Sequence, residues 1–414
     1  MTESSNAGLP VMPLSRRVQT IPEALSIYIN QLVYDLRRRG NDVVTLSLGE
    51  AFFDIPAFDF GKIDFVKGAH YSDSVGIPEL RKKIADYYAR YYGAAVDPMF
   101  EMIITAGSKV AIFMCMQAIM DPGTKVMIHE PAWVSYQEQA RLVGAEPVFI
   151  PYDCPVEKFT EHYDDKTRLV IINNPNNPAG RLYTKSELEC LYRDARQRGI
   201  YVMVDEAYSD FVTDEPFTSL ASIAPSKEGV IIVNSLSKNM GLSGWRIGYV
   251  ITHPTLIAEL IKLNQHLITC APSILLYYLS YYFQDLIDIT LPQVREVVAK
   301  RNRVGTMIDR LGLKRMDGAA GFYFFVSIGN FPGDSLDFSL HLLLEHGIAV
   351  VPGLAYGDST KRFVRISVGT ESEERIWDAL NVISDLTRVN QFDVAQLNES
   401  MARYGLRRFT ENRS

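Results

Sequence analysis

Seven apolar runs without polar alternation fall between residues 102 and 251, and they constrain the fold of this chain more than any other feature. They are Met102–Thr105, Lys125–His129, Pro147–Pro151, Leu169–Asn173, Tyr201–Asp205, Val230–Asn234 and Ile247–Ile251. Such runs are strands covered on both faces, the pattern of a parallel or mixed sheet between helices. Helical stretches lie between them. Pro78–Tyr92 has Pro at a first turn, Lys109–Met120 stops at Asp121-Pro122-Gly123, and Thr184–Gly199 opens with Thr184 and Glu187 in capping-box spacing. The expectation is an α/β fold with ligand chemistry at the carboxyl ends of the strands.

The pattern changes after about Leu291. A charged helix over Gln293–Leu311 leads to a strand at Phe322–Ile328, a helix at Ser335–Glu345, strands near Ala349 and Arg362–Val368, and a helix from Glu371 to Arg388. The predicted division is an arm (1–20), a large domain (51–290), a smaller α+β domain (21–50 with 291–390) and a tail (391–414). In the tail, Val394, Leu397, Met401 and Tyr404 recur at helical spacing.

A net charge of -7 argues against nucleic acid as a partner. Leu267–Phe283 carries no charge, yet Pro272 interrupts it and tyrosines stud its second half, so it reads as a broken helix within the protein, not a membrane span. Met1–Pro13 lacks the basic and apolar segments of a secretory signal. Cys115, Cys154, Cys190 and Cys270 form no metal-ligand spacing, and His341 and His346 around Glu345 fit no zinc motif. A cytoplasmic protein with reduced thiols and no metal is expected.

The chemistry is expected around Lys238, in Ser235-Leu236-Ser237-Lys238-Asn239-Met240-Gly241-Leu242-Ser243-Gly244-Trp245-Arg246. A lone lysine after a strand is usually a surface charge. Here Ser235, Ser237 and Arg246 accompany it, a set suited to an amine bonded to an aldehyde with a phosphate held nearby. Asp205 ends another strand, as a ring-nitrogen partner or a helix cap. Ala106-Gly107-Ser108-Lys109 joins a strand to a helix, where backbone N–H groups attract anions. Arg365 interrupts an apolar strand, as a carboxylate fork or a structural ion pair.

Together these segments closely resemble class I aminotransferases of fold-type I, which use pyridoxal phosphate. The resemblance rests on the Lys238 run, on Asn173-Asn174-Pro175-Asn176-Asn177-Pro178-Ala179-Gly180 and on Asp205-Glu206-Ala207-Tyr208. It is nearest to the aspartate/prephenate subgroup, through Leu14-Ser15-Arg16-Arg17-Val18 and Lys109. It implies a large domain with a mostly parallel seven-stranded sheet and a smaller α+β domain.

The resemblance also implies roles for residues. Lys238 would form the imine with the cofactor and shuttle the proton, Asp205 would hold the ring nitrogen, and Tyr208 and Asn177 would contact the phenolate oxygen. Gly107, Ser108, Lys109, Ser235 and Arg246 would surround the phosphate, and Trp133 would stack on the ring. Tyr71 would reach the phosphate of a neighbouring subunit, implying a homodimer. Gly49, Trp133, Asn177 and Arg365 would meet the substrate. The implied reaction moves an amino group between an L-amino acid, acidic by the Lys109 match, and a 2-oxo acid. Lys109 is also readable as a phosphate neighbour or a helix-surface charge, and Tyr28, Phe52 and Phe53 as walls for an aromatic or aliphatic side chain. A lyase, decarboxylase or oxidase on the same fold is the alternative. Ala51-Phe52-Phe53-Asp54 and Ala319-Ala320-Gly321-Phe322-Tyr323 depart from the family pattern beside the expected pocket.

Overall fold

The computed structural model describes residues 12–212, 217–407 and 409. The first eleven residues of the expected arm, and residues 408 and 410–414 of the expected tail, lie outside them.

Helix α1 (Leu25–Arg38) precedes α2 (Pro78–Tyr92), which begins on Pro78 as expected. The central sheet has seven strands: β1 (Met102–Thr105), β2 (Lys125–His129), β3 (Glu146–Ile150), β4 (Thr167–Asn173), β5 (Tyr201–Asp205), β6 (Val230–Ser235) and β7 (Gly248–Thr252). Their order is β1-β7-β6-β5-β4-β2-β3, and only β7 runs antiparallel to its neighbours. Almost every residue of β4, β5, β6 and β7 is buried, because helices cover both faces. That double cover is what the unbroken apolar runs record.

Helix α3 (Ser108–Ile119) follows β1, and α4 (Lys185–Gln197) is opened by the reciprocal Thr184–Glu187 capping box. Helix α5 (Pro254–Leu267) ends before Pro272, and α6 (Ser273–Arg310) then runs unbroken for 38 residues. The sequence predicts a helix broken near Pro272 and a separate helix over 293–311; the break at Pro272 is present, but the structure joins the segment after it to the second helix. Pro292 lies inside α6, and the Gln293 side chain donates to the Ile289 carbonyl (3.1 Å) and the Asp54 carbonyl (3.0 Å) beside it. Apolar burial on both sides of the proline outweighs the lost backbone bond. Leu286 and Ile287 pack in the core of the central sheet, and Val294 and Val298 in a second core.

That second core forms around a three-stranded antiparallel sheet of β8 (Tyr323–Ser327), β9 (Val351–Pro352) and β10 (Phe363–Ser367), covered by α8 (Glu373–Leu386). Between β8 and β9 lies α7 (Ser335–His346). A third cluster joins Ile29 and Leu32 of α1, Leu340 and Leu343 of α7, and Leu397 and Met401 of a final helix, α9 (Val394–Arg403). Of the tail's helical spacing, Leu397 and Met401 are buried and Tyr404 packs beside them, while Val394 is exposed. Among the described residues no helix is long and apolar enough to cross a membrane.

Candidate active site

Strands β4, β5 and β6 are parallel and in register, so Asn173, Asp205 and the Ser235–Lys238 turn emerge side by side at their carboxyl ends. Gly248 begins antiparallel β7 opposite both Ser235 and Thr105. This pairing brings Arg246 against the turn after β1. A Cβ on Gly107, whose φ is +92°, would lie 2.6 Å from Arg246 Nη2, and one on Gly248 would lie 2.4 Å from the Ser108 nitrogen. The two glycines allow a close-packed cradle of Gly107, Ser108 and Arg246. Next to it the Ser235 hydroxyl donates to Ser237 Oγ at 2.8 Å and caps the Ser237 N–H.

Lys238 points its Nζ at the Gly49 carbonyl, 2.5 Å away, and burial pulls its pKa down to about 8. Asp205 is buried, which raises its pKa; the Tyr136 hydroxyl (2.7 Å) and the Ala207 N–H (3.1 Å) donate to its two oxygens and oppose that rise. Tyr208 accepts from Asn177 Nδ2 at 3.0 Å and its hydroxyl meets that of Tyr323 at 3.1 Å; burial pushes its pKa up to about 12.

Arg365 reaches in from β10. Its Nη1 donates to Asn177 Oδ1 (3.2 Å) and its Nη2 to the Ser47 carbonyl (2.6 Å). The guanidinium lies 4.5 Å from the Tyr323 ring centroid and 5.7 Å from that of Tyr356. Its buried Nε has no hydrogen-bond partner among the described residues, and no carboxylate there pairs with it. An unpaired buried guanidinium is costly, so the structural ion pair is not its explanation.

Lys109 Nζ sits 5.1 Å over the Trp133 ring, and burial followed by the nearby Arg246 lowers its pKa. Gly49 forms a wall, since a Cβ on it would come within 3.3 Å of the Tyr323 hydroxyl. The structure thus assembles Lys238, Asp205, Tyr208, Asn177, Arg365, Gly49, Trp133 and Lys109 around the strand ends, with Gly107, Ser108, Ser235 and Arg246 beside them. Tyr71 stands apart, 86% exposed, in an open cleft shared with Ala106, Ile268 and Pro272.

Tyr28 is directed elsewhere than a substrate wall: its hydroxyl donates to the Arg407 carbonyl (2.7 Å) and its ring lies 5.4 Å from Phe409. Phe52 is largely exposed, and Phe53 packs where a Cβ on Gly241 would lie.

Three residues near the site carried no assigned role in the sequence: Tyr136, Tyr323 and Glu206. Tyr136 follows Trp133 by three residues, a weak signal. Glu206 is fully buried, accepts from the Ser219 hydroxyl (2.9 Å), the Leu220 N–H (3.0 Å) and the Tyr88 hydroxyl (3.2 Å), and burial raises its pKa to about 8.

Residues 50–383 match the family described as aminotransferase class I and II, and the chain belongs to that family. A (5-formylfuran-3-yl)methyl phosphate transaminase of Methanocaldococcus jannaschii is 32% identical over 92% of this chain and 99% of its own. The aspartate/prephenate aminotransferase of Thermus thermophilus is 32% identical over 89% of this chain and 97% of its own. A solved structure of the Thermus thermophilus aspartate aminotransferase with maleate superposes with a TM-score of 0.82 at 30% identity, covering 91% of this chain and 100% of that one. The chain is therefore an aminotransferase with the fold of that family, and amino acids and oxo acids are the substrates such enzymes take.

Proposed function

We propose that this chain binds pyridoxal phosphate in the crevice at the ends of β4, β5 and β6, and transfers an amino group from an acidic L-amino acid to a 2-oxo acid in two alternating half-reactions. The observation that carries this reading is the convergence of Lys238, Asp205, Tyr208 and Asn177 on one point, with a close-packed anion cradle beside it. The cradle fits a phosphate: two hydroxyls, a guanidinium and the N-terminus of twelve-residue α3 meet where glycine alone leaves room. When bound, the cofactor supplies an electron sink for the bonds at the substrate Cα.

The chain's own groups supply the rest. Lys238, with its pKa near 8, is neutral often enough at physiological pH to accept a proton and return it. Asp205, whose two oxygens accept from the Tyr136 hydroxyl and the Ala207 N–H, offers its carboxyl group to the protonated ring nitrogen. Asn177 and Tyr208 present hydrogen-bonding groups on one side, and Trp133 offers an aromatic face. Arg365, whose Nε has no partner among the described residues, is suited to the substrate α-carboxylate as a planar fork.

The acidic donor is supported by Lys109, an exposed cation over the Trp133 ring with no carboxylate partner among the described residues, and by relatives named aspartate aminotransferases. A homodimer is supported by Tyr71, which is exposed here in a cleft beside Ala106, the first residue of the cradle turn. The alternative chemistries have no observation in their favour.

The test is the absorbance of the cofactor-loaded protein with single amino acids and no acceptor. Conversion to the aminated cofactor by aspartate or glutamate supports the reading. Conversion by aromatic donors alone removes the acidic assignment, and no cofactor absorbance at all removes the proposal.

A further inference from the structure

Tyr323 opens β8 and is completely buried, with its backbone pinned by a donated bond from Arg301 Nε to its carbonyl (3.3 Å). Its ring lies under the Arg365 guanidinium, and its hydroxyl meets the Tyr208 hydroxyl at 3.1 Å. The two phenol rings are edge to face, with centroids 5.5 Å apart and planes at 79°.

We propose that Tyr323 is a positioning residue for the transfer reaction, its hydroxyl donating to the Tyr208 oxygen so that the Tyr208 hydrogen is directed into the ligand crevice. This rests on the reading that the crevice holds pyridoxal phosphate.

The direction of the bond follows from counting hydrogens. A phenol carries one hydrogen and accepts through its oxygen. The Tyr208 oxygen already accepts from Asn177 Nδ2 at 3.0 Å. If Tyr208 donated to Tyr323, the Tyr323 hydrogen would be stranded, because its hydroxyl has no other hydrogen-bond partner among the described residues. Stranding a donor at a fully buried position carries its whole desolvation penalty. If Tyr323 donates, both acceptor positions on Tyr208 are filled from the protein. The Tyr208 hydrogen then has no acceptor left among the described residues and is available to a ligand in the crevice.

Electrostatics run the same way. The bond from Tyr323 and the charge of Arg365 both lower the proton affinity of Tyr208, against the burial that raises it. A more acidic phenol is a stronger donor, and hydrogen bonds in a chain strengthen one another. Tyr208 would then donate more strongly to the phenolate oxygen of the cofactor, lowering the proton affinity of the nitrogen that Lys238 contributes.

The experiment is a pH titration of the visible absorbance of the cofactor-loaded protein in four forms: unaltered, Tyr323→Phe, Tyr208→Phe and the double variant. Tyr323→Phe keeps the ring beneath Arg365 and removes only the hydroxyl. It should move the midpoint upward by about half a pH unit, the size expected for one neutral hydrogen bond acting through another. Tyr208→Phe should move it further, and the double variant should match Tyr208→Phe alone. That non-additivity separates a residue acting through Tyr208 from one acting on packing. An unmoved or lowered midpoint in Tyr323→Phe overturns the inference, as do additive shifts. If the unaltered protein shows no titrating absorbance, the cofactor reading fails and takes this inference with it; a normal titration with no effect of Tyr323→Phe sinks the inference alone.

Discussion

Arg365 Nη1 donates to Asn177 Oδ1 at 3.2 Å, so a strand of the three-stranded sheet is bonded to the loop that leaves the central sheet at β4. The same Asn177 donates through Nδ2 to Tyr208. A carboxylate bound at Arg365, as proposed, would meet a group already hydrogen-bonded to Tyr208 beside Lys238. Arg365, Asn177 and Tyr208 form one hydrogen-bonded chain.

Arg365→Lys should weaken every amino acid and oxo acid alike. Lysine keeps the charge and loses the fork, so kcat/KM should fall about 30-fold or more, matching a loss of roughly 2–4 kcal/mol at a buried charged contact. Steady-state kinetics with one acidic and one neutral donor check this; a fall confined to the acidic donor contradicts the assignment.

Lys109→Met should change selectivity instead. With the acidic reading, kcat/KM for aspartate falls about 10- to 100-fold, the worth of one charge-assisted contact of about 1.5–3 kcal/mol, while a neutral donor is little affected. Equal losses for both donors would move Lys109 to the cofactor.

Gly107→Ala combines a left-handed backbone (φ +92°) with a Cβ 2.6 Å from Arg246 Nη2. The cradle must open, so affinity for pyridoxal phosphate should drop by about tenfold or more, given a strain of about 1–3 kcal/mol. Quenching of protein fluorescence on adding the cofactor measures it.

Glu206 has a pKa raised by burial from 4.5 to about 8 in the folded chain. The folded state therefore binds more protons than the unfolded state between those values, and this group's contribution to stability is lost as pH rises from the unfolded pKa through the folded one. Glu206→Gln imitates the protonated form, so its stability relative to the unaltered protein should improve steadily from pH 5 to about 8 and level off above it. Urea midpoints across that range decide it; a pH-independent difference counts against a neutral buried carboxyl.

Much of the large sheet was legible because its strands are covered on both faces. Met102–Thr105, Lys125–His129 and Tyr201–Asp205 have the ends their apolar runs suggested. The site residues on strand ends were legible for the same reason: once the strands are parallel and adjacent, Asn173, Asp205 and Ser235 must be neighbours. What sequence did not supply was whatever depends on contact between distant segments. Pro292 reads locally as a helix stop, and only packing at Leu286, Ile287 and Val294 carries α6 past it. Tyr323 looks like one more apolar strand residue, because its partner Tyr208 lies 115 positions away. Tyr28 reads as a pocket wall in the sequence, and its contacts with Arg407 and Phe409 come from a segment 379 positions or more away.

Helix α6 gives Leu276, Leu279 and Phe283 to one apolar core and Val298, Val304 and Ile308 to another, along a rod of 38 residues, about 57 Å long. The two cores thus share a spine, with no hinge loop between them at this crossing. Cutting the gene near residue 290 would sever a helix in mid-span and bare an apolar stripe on each fragment. Neither half should survive alone, and loss of either core should propagate along the rod to the other.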